Sequence, residues 1–128
     1  MAVKGVGVDI ISINRVKDTI ENAGRAFLDR VFTSWEQEAA EGSSNPIAYY
    51  ATRFAGKEAI FKTFGIGWAT GVEFTEIEIR DGKFGEPAPV LSGNFAELAR
   101  EKGAKGVLLS LSYDGDYAVG MATLVEND

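Results

Sequence analysis

Asp9, near the end of "VKGVGVDI", and Glu58 with Lys62, inside "RFAGKEAIFKTFGIG" at residues 53–67, are the side chains whose types and spacing could do chemistry. Two carboxylates brought face to face repel unless a cation sits between them, and oxygen donors suit a hard divalent ion such as Mg²⁺. Lys62, one turn past Glu58, would add positive charge beside that ion, and Arg53 and Lys57 add two more cations on the same helix. Such a cluster could hold a small polyanion. The residues alone also allow a plainer reading. Glu58 and Lys62 form an i,i+4 pair in the favourable order, worth only ~0.2–0.5 kcal/mol on a solvated surface. Asp9 could cap the helix that follows it, and Arg53 and Lys57 could be solvent-facing charges.

Two absences narrow the chemistry further. The chain has no Cys and no His, which removes disulfides, thiolate nucleophiles, imidazole bases and His-bound zinc. Carboxylates, Lys, Arg, hydroxyls and backbone must carry any catalysis. The net charge is −6, yet residues 43–70 carry Arg53, Lys57 and Lys62 against Glu58 alone, while residues 71–128 hold five basic and eleven acidic side chains. An acidic chain with its cations on one helix is a poor general binder of nucleic acid.

The elements that must position these groups follow from periodicity. In the first strand Val3, Gly5, Gly7 and Asp9 share one face, and Lys4, Val6, Val8 and Ile10 the other. A helix follows with Ile13, Val16 and Ile20 on its buried side, closing near Gly24. Thr33 or Ser34 starts a short second helix through a capping-box pattern. The long helix runs from about Ile47 to Phe64 and stops at Gly65. Along it Ala51, Ala55, Glu58 and Lys62 form one narrow stripe, and Tyr50, Phe54, Lys57, Phe61 and Phe64 a neighbouring one. The alanines leave room for the glycine face of the first strand, an approach that would bring Asp9 and Glu58 together. "VEFTEIEIR" and "APVLSG" read as a strand pair, "NFAELAREKG" as a short helix capped by Asn94, and "KGVLLSLSY" and "DYAVGMATLV" as a hairpin turning at Asp114-Gly115. The expected class is α+β, with an antiparallel sheet packed against the long helix. A chain of 128 residues fits one domain, residues 1–128, with a real core. The amino terminus reads as too short and strand-like for a signal peptide, and no apolar run reaches the roughly 18–20 residues of a membrane span. The expected location is the cytoplasm, with no membrane partner.

"GVGVDIISINRV", residues 5–16, and "RFAGKEAIFKTFGIG" resemble, in order and spacing, the two signature motifs of the 4′-phosphopantetheinyl transferase superfamily. The single-domain size resembles its small branch, the holo-acyl-carrier-protein synthases. "FTSWEQEA" is similar to the family's short helix and "LSLSYDGDYAVGMA" to its closing hairpin, so the resemblance covers nearly the whole chain.

The resemblance implies Mg²⁺-dependent transfer of the 4′-phosphopantetheine arm from coenzyme A to a serine of an apo acyl carrier protein, as in fatty acid biosynthesis. Adenosine 3′,5′-bisphosphate is the other product. Asp9 and Glu58 match the acidic residues that hold Mg²⁺, and Lys62 the lysine at the reacting phosphate. Arg53, Lys57 and Gly65 match positions lining the coenzyme A groove, and Arg15 the first-helix position that faces the carrier. Arg25 and Arg30 are further docking candidates for that acidic partner. Members of this branch are homotrimers with active sites between protomers. Tyr113 stands where the family's "SLS" motif continues with His; Tyr can stack and donate a hydrogen bond but cannot become an imidazolium. Two other functions fit the same residues: a metal-dependent coenzyme A diphosphate hydrolase, and a non-catalytic coenzyme A-binding module.

Overall fold

The structure, a computed structural model, describes residues 2–65 and 71–126. In chain order it runs β1 (Ala2–Ser12), α1 (Ile13–Ala23), α2 (Arg25–Val31), α3 (Ser34–Glu41), α4 (Pro46–Thr63), a 3₁₀ turn at Phe74–Glu76, β2 (Ile77–Asp81), β3 (Pro87–Leu91), α5 (Gly93–Glu101), β4 (Gly106–Asp114) and β5 (Tyr117–Glu126). β1, β5 and β4 form one antiparallel sheet in that spatial order, and β2 and β3 a separate hairpin pair. The α+β class and the long helix against an antiparallel sheet are as expected.

Most local signals work as chemistry demands. Thr33 closes the capping box of α3, accepting from the Glu36 amide while the Glu36 carboxylate accepts from the Thr33 amide. Pro46 sits at the start of α4, where its missing N–H costs nothing, behind an Asn45 cap. The β4–β5 hairpin turns at Gly115, whose positive φ of 59° suits a residue without a Cβ.

Three expectations are corrected, and one further element is found. Asp9 is not a cap: Ser12 takes that place, its hydroxyl accepting from the Arg15 amide. Asn94 does not cap α5, which starts after Ser92; its backbone N–H donates to the Glu76 carboxylate and its side-chain amide to the Gly71 carbonyl. "VEFTEIEIR" becomes a strand only at Ile77, because a 3₁₀ turn occupies Phe74–Glu76. α2 was not anticipated at all.

α4 lies across the inner face of the three-stranded sheet. A Cβ on Gly7 would fall 2.1 Å from the Ala59 carbonyl oxygen, and one on Gly5 would fall 2.0 Å from that of Thr63. Gly120 of β5 meets Ala55 and Gly56 in the same way. The close approach read from small residues is therefore real, but β1 meets the C-terminal half of α4 and β5 takes the Ala55 region. On its other side α4 carries the core. Phe54 and Phe61 pack edge-on against Phe74, and Phe61 and Phe64 meet Phe95.

Among the described residues nothing covers the outer face of the same sheet. Strand register aligns Val6 with Thr123 and Leu108, and Val8 with Met121 and Ser110. Val6, Val8, Ile10, Leu108 and Met121 are each more than half exposed.

Candidate functional site

Asp9 leaves β1 on its inner face, where α4 passes, and the glycines beside it decide how near the helix comes. Lys62, at the last turn of α4, points its ammonium back to β1. It donates to the Asp9 Oδ1 at 3.1 Å and to the Val8 carbonyl at 3.1 Å. Glu58 lies one turn earlier, half-buried. Burial pushes its carboxyl pKa up, the Asp9 charge pushes it up further, and the Lys62 ammonium pulls it down. Asp9, Glu58 and Lys62, expected together from the motifs, thus do converge.

This donor set fits a hard divalent ion. Two carboxylates whose mutual repulsion raises one pKa are relieved by a cation between them. Among the described residues no third Asp, Glu, His or Cys joins them. Mg²⁺ commonly takes one or two carboxylates and fills its octahedron with water and substrate phosphate oxygens.

Arg53 and Tyr113 line a separate cleft of about 400 Å³ at the N-terminal end of α4, with Ser112, Ser43, Ser44 and Asn45. The Arg53 guanidinium stacks over the Tyr49 ring at 3.8 Å and reaches Asp81 at 3.6 Å. Among the described residues its buried Nε meets no hydrogen-bond acceptor. A guanidinium beside hydroxyls and the positive end of an 18-residue helix suits an anion. Tyr113 is half exposed there, free to stack on a planar group.

Lys57 is not brought to either place. Expected in the coenzyme A groove or else in solvent, it is fully buried. Its ammonium donates to the Val31 carbonyl at 2.6 Å, Glu36 Oε1 at 2.7 Å and the Phe74 carbonyl at 3.2 Å. All three donors of the ammonium are thereby used, which leaves none for a ligand. Burial lowers its pKa and Glu36 opposes that shift. The signal was present: Lys57 shares the stripe of Tyr50, Phe54, Phe61 and Phe64, which faces the aromatic core. Gly65 follows α4 with a φ of 69° and is exposed, so it ends the helix beside Lys62. Ile66 and Gly67, the last two residues of the second motif, lie outside the described residues.

The basic residues expected at the carrier are all on the surface. Arg15 projects from the first turn of α1, three residues past the Ser12 cap. Arg25 opens α2, donates to Gln37 and lies 3.8 Å from Asp29, so part of its charge is offset. Arg30 sits exposed in the last turn of α2.

Comparison with known proteins extends this picture. The family described as the 4′-phosphopantetheinyl transferase superfamily matches residues 5–122. A holo-[acyl-carrier-protein] synthase of Desulforudis audaxviator is 40% identical over 121 residues, covering 94% of this chain and 92% of that protein. The crystal structure of the Neisseria meningitidis holo-[acyl-carrier-protein] synthase superposes with a TM-score of 0.90 at 30% identity, covering 98% of this chain and all of that one. A Bacillus anthracis holo-(acyl-carrier-protein) synthase in complex with CoA (3′,5′-ADP) gives 0.79 at 30% identity, covering 98% of both chains.

Proposed function

The chain belongs to the 4′-phosphopantetheinyl transferase superfamily, and on that footing we propose that it is a holo-acyl-carrier-protein synthase. It moves the 4′-phosphopantetheine arm of coenzyme A onto a serine hydroxyl of an apo acyl carrier protein, with Mg²⁺, and releases adenosine 3′,5′-bisphosphate. The observation that carries this reading is the meeting of Asp9 from β1 with Glu58 and Lys62 from α4.

In the reaction the serine oxygen attacks the β-phosphorus of coenzyme A, and the bond to the bridging oxygen breaks. Negative charge grows on the diphosphate oxygens and the serine loses a proton. Mg²⁺ held by Asp9 and Glu58 would neutralise part of that charge. Lys62 is suited to the rest, because its ammonium is half exposed, and its two bonds to β1 can be exchanged for phosphate oxygens. With no His in the chain, the serine proton goes to a carboxylate or to a metal-bound water, and Glu58, beside the site, could activate that water. Arg53, Tyr113 and the hydroxyls around them form a cleft suited to the 3′-phosphate and adenine end of coenzyme A. Gly65 completes the groove beside Lys62.

The same reading covers assembly and partners. Residues 1–128 act as one domain, working as a homotrimer in the cytoplasm within fatty acid biosynthesis. The uncovered row of Val6, Val8, Ile10, Leu108 and Met121 supports self-association, since contiguous exposed apolar surface marks an interface. Active sites between protomers would let the Arg53–Tyr113 cleft of one copy serve the Asp9–Glu58 pair of the next. Arg15, Arg25 and Arg30 offer cations to an acidic carrier, with steering as their main effect.

Chromatography of the small molecules tests the reaction. With coenzyme A, Mg²⁺ and an apo carrier, adenosine 3′,5′-bisphosphate should appear in step with carrier consumed, and EDTA should stop it. Its appearance without any carrier would instead identify a hydrolase.

A further inference from the structure

Lys57 directly precedes Glu58 on α4, yet the two side chains, about 100° apart around the helix, serve different faces. The Lys57 ammonium joins α4 to the end of α2 through Val31, to α3 through Glu36 and to the 3₁₀ turn through Phe74. Glu36 extends the link, its Oε2 accepting from the Ile79 amide of β2 at 2.8 Å and its Oε1 from Thr33. Both side chains are wholly buried. An ion pair withdrawn from water gains its energy only in one tightly satisfied geometry, so it resists rotation far more than apolar contacts of similar area.

The opposite side of α4 supplies a weaker register, because the Lys62–Asp9 pair there is half open to solvent and exchangeable. Apart from that pair, α4 meets Gly5, Gly7 and Gly120 largely through its backbone, a close contact that sets distance more firmly than rotation about the axis. Consecutive helical residues turn together, so any rotation that displaces Lys57 displaces Glu58 by the same angle. At a side-chain radius of roughly 5–6 Å, a 10° rotation moves the carboxylate by about 1 Å. A misplacement of that size can cost ~10²-fold in rate.

We propose that the buried Lys57–Glu36 pair is a positioning device, which fixes the rotation of α4 so that Glu58 and Lys62 face Asp9. Lys57 and Glu36 touch neither substrate nor metal; they act through Glu58. The inference rests on the transferase reading above and deepens it by assigning a function to a lysine next to the site.

Calorimetry on the intact protein separates this role from simple stabilisation. Coenzyme A is titrated into wild type and Glu36→Gln with and without Mg²⁺, at a temperature where circular dichroism shows each fully folded. The readout is the factor by which Mg²⁺ tightens coenzyme A binding. Glu36→Gln should lose about tenfold of that factor while its affinity without metal stays the same. Val16→Ala, which thins the core under α1 without touching the pair, should keep the whole factor. Lys57→Arg preserves the charge and carries the test if Glu36→Gln does not fold; it should retain an intermediate factor. A folded Glu36→Gln or Lys57→Arg with the wild-type factor would overturn the positioning role, as would an equal loss in Val16→Ala. Absence of any Mg²⁺ effect in wild type would overturn the transferase reading, and the inference with it.

Discussion

Two lysine–carboxylate pairs, Lys57–Glu36 and Lys62–Asp9, hang from α4 with lysines little more than one turn apart, and their distances, 2.7 and 3.1 Å, hardly differ. Their surroundings differ completely. The Lys57–Glu36 pair is wholly shielded from solvent, whereas Lys62 is 53% exposed and Asp9 18%. Lys57 spends all its donors on fixed protein acceptors, while Lys62 makes two bonds that water or a phosphate could replace. A short ion-pair distance therefore says little about role. Complete satisfaction in a dry interior marks a group that holds structure, and loose pairing beside a second carboxylate marks one that can meet a substrate.

The sharpest way to break this contrast is to neutralise each lysine. Lys57→Met leaves the Glu36 carboxylate buried without its cation and should cost ~3–5 kcal/mol of stability, read from chemical denaturation. Lys62→Met should cost under ~1 kcal/mol, because exposed pairs contribute little. Its turnover should nevertheless fall by ~10²–10³-fold, the usual cost of removing a group that stabilises developing charge. If the stability losses were similar, burial would not be what separates the pairs.

Gly7→Ala sharpens the contrast from the other side of α4. Its Cβ would strike the Ala59 carbonyl, so the strand must move away, at a cost of about 1–3 kcal/mol. The displacement should also raise the Mg²⁺ concentration needed for half-maximal rate. An unchanged Mg²⁺ requirement would show that β1 can shift without disturbing Asp9.

A smaller effect follows from Glu58. Its pKa is raised by burial and by Asp9. A carboxyl raised in the folded state contributes stability below its unfolded value of about 4.3 and loses it as pH rises through the folded value. Metal-free wild type should therefore lose ground to Glu58→Gln as pH climbs above the ordinary carboxylate range, a trend visible in thermal midpoints taken with EDTA. Parallel pH profiles would remove the strained carboxylate pair from the account. Charge reversal of Arg25 should have the least effect, a several-fold rise in carrier KM with coenzyme A KM unchanged, since rim charges act mainly on encounter. Equal changes in both constants would argue against docking there.

Much of this contrast could be read from the chain, and its gaps have physical causes. The alternation of β1, the 3.6-residue stripes of α4 and the Asp114-Gly115 turn are local signals, and each produced its element. α2 escaped because it spans only seven residues and starts at Gly24 without a side-chain cap. The Lys57–Glu36 pair escaped because Glu36 already explained itself as a capping-box residue; nothing local states that its carboxylate also receives a lysine from α4. Lys57 did share the aromatic stripe, a placement that argued for burial, but a charge in an apolar stripe needs its partner known before that reading is secure. Asp9 and Glu58 were matched as motif positions, and packing through Gly7 is what makes them neighbours.

The central claim is a Mg²⁺-dependent transfer at Asp9, Glu58 and Lys62, and the mass of the carrier tests it most directly. Purified protein, coenzyme A, Mg²⁺ and an apo fatty-acid carrier are incubated and the carrier is weighed. The account predicts a gain of one phosphopantetheine arm, abolished by EDTA and by Asp9→Ala. A carrier gaining the same mass with Asp9→Ala or in EDTA would contradict the site. Unmodified carrier beside cleaved coenzyme A, or with both intact across several carriers, would contradict the transferase itself.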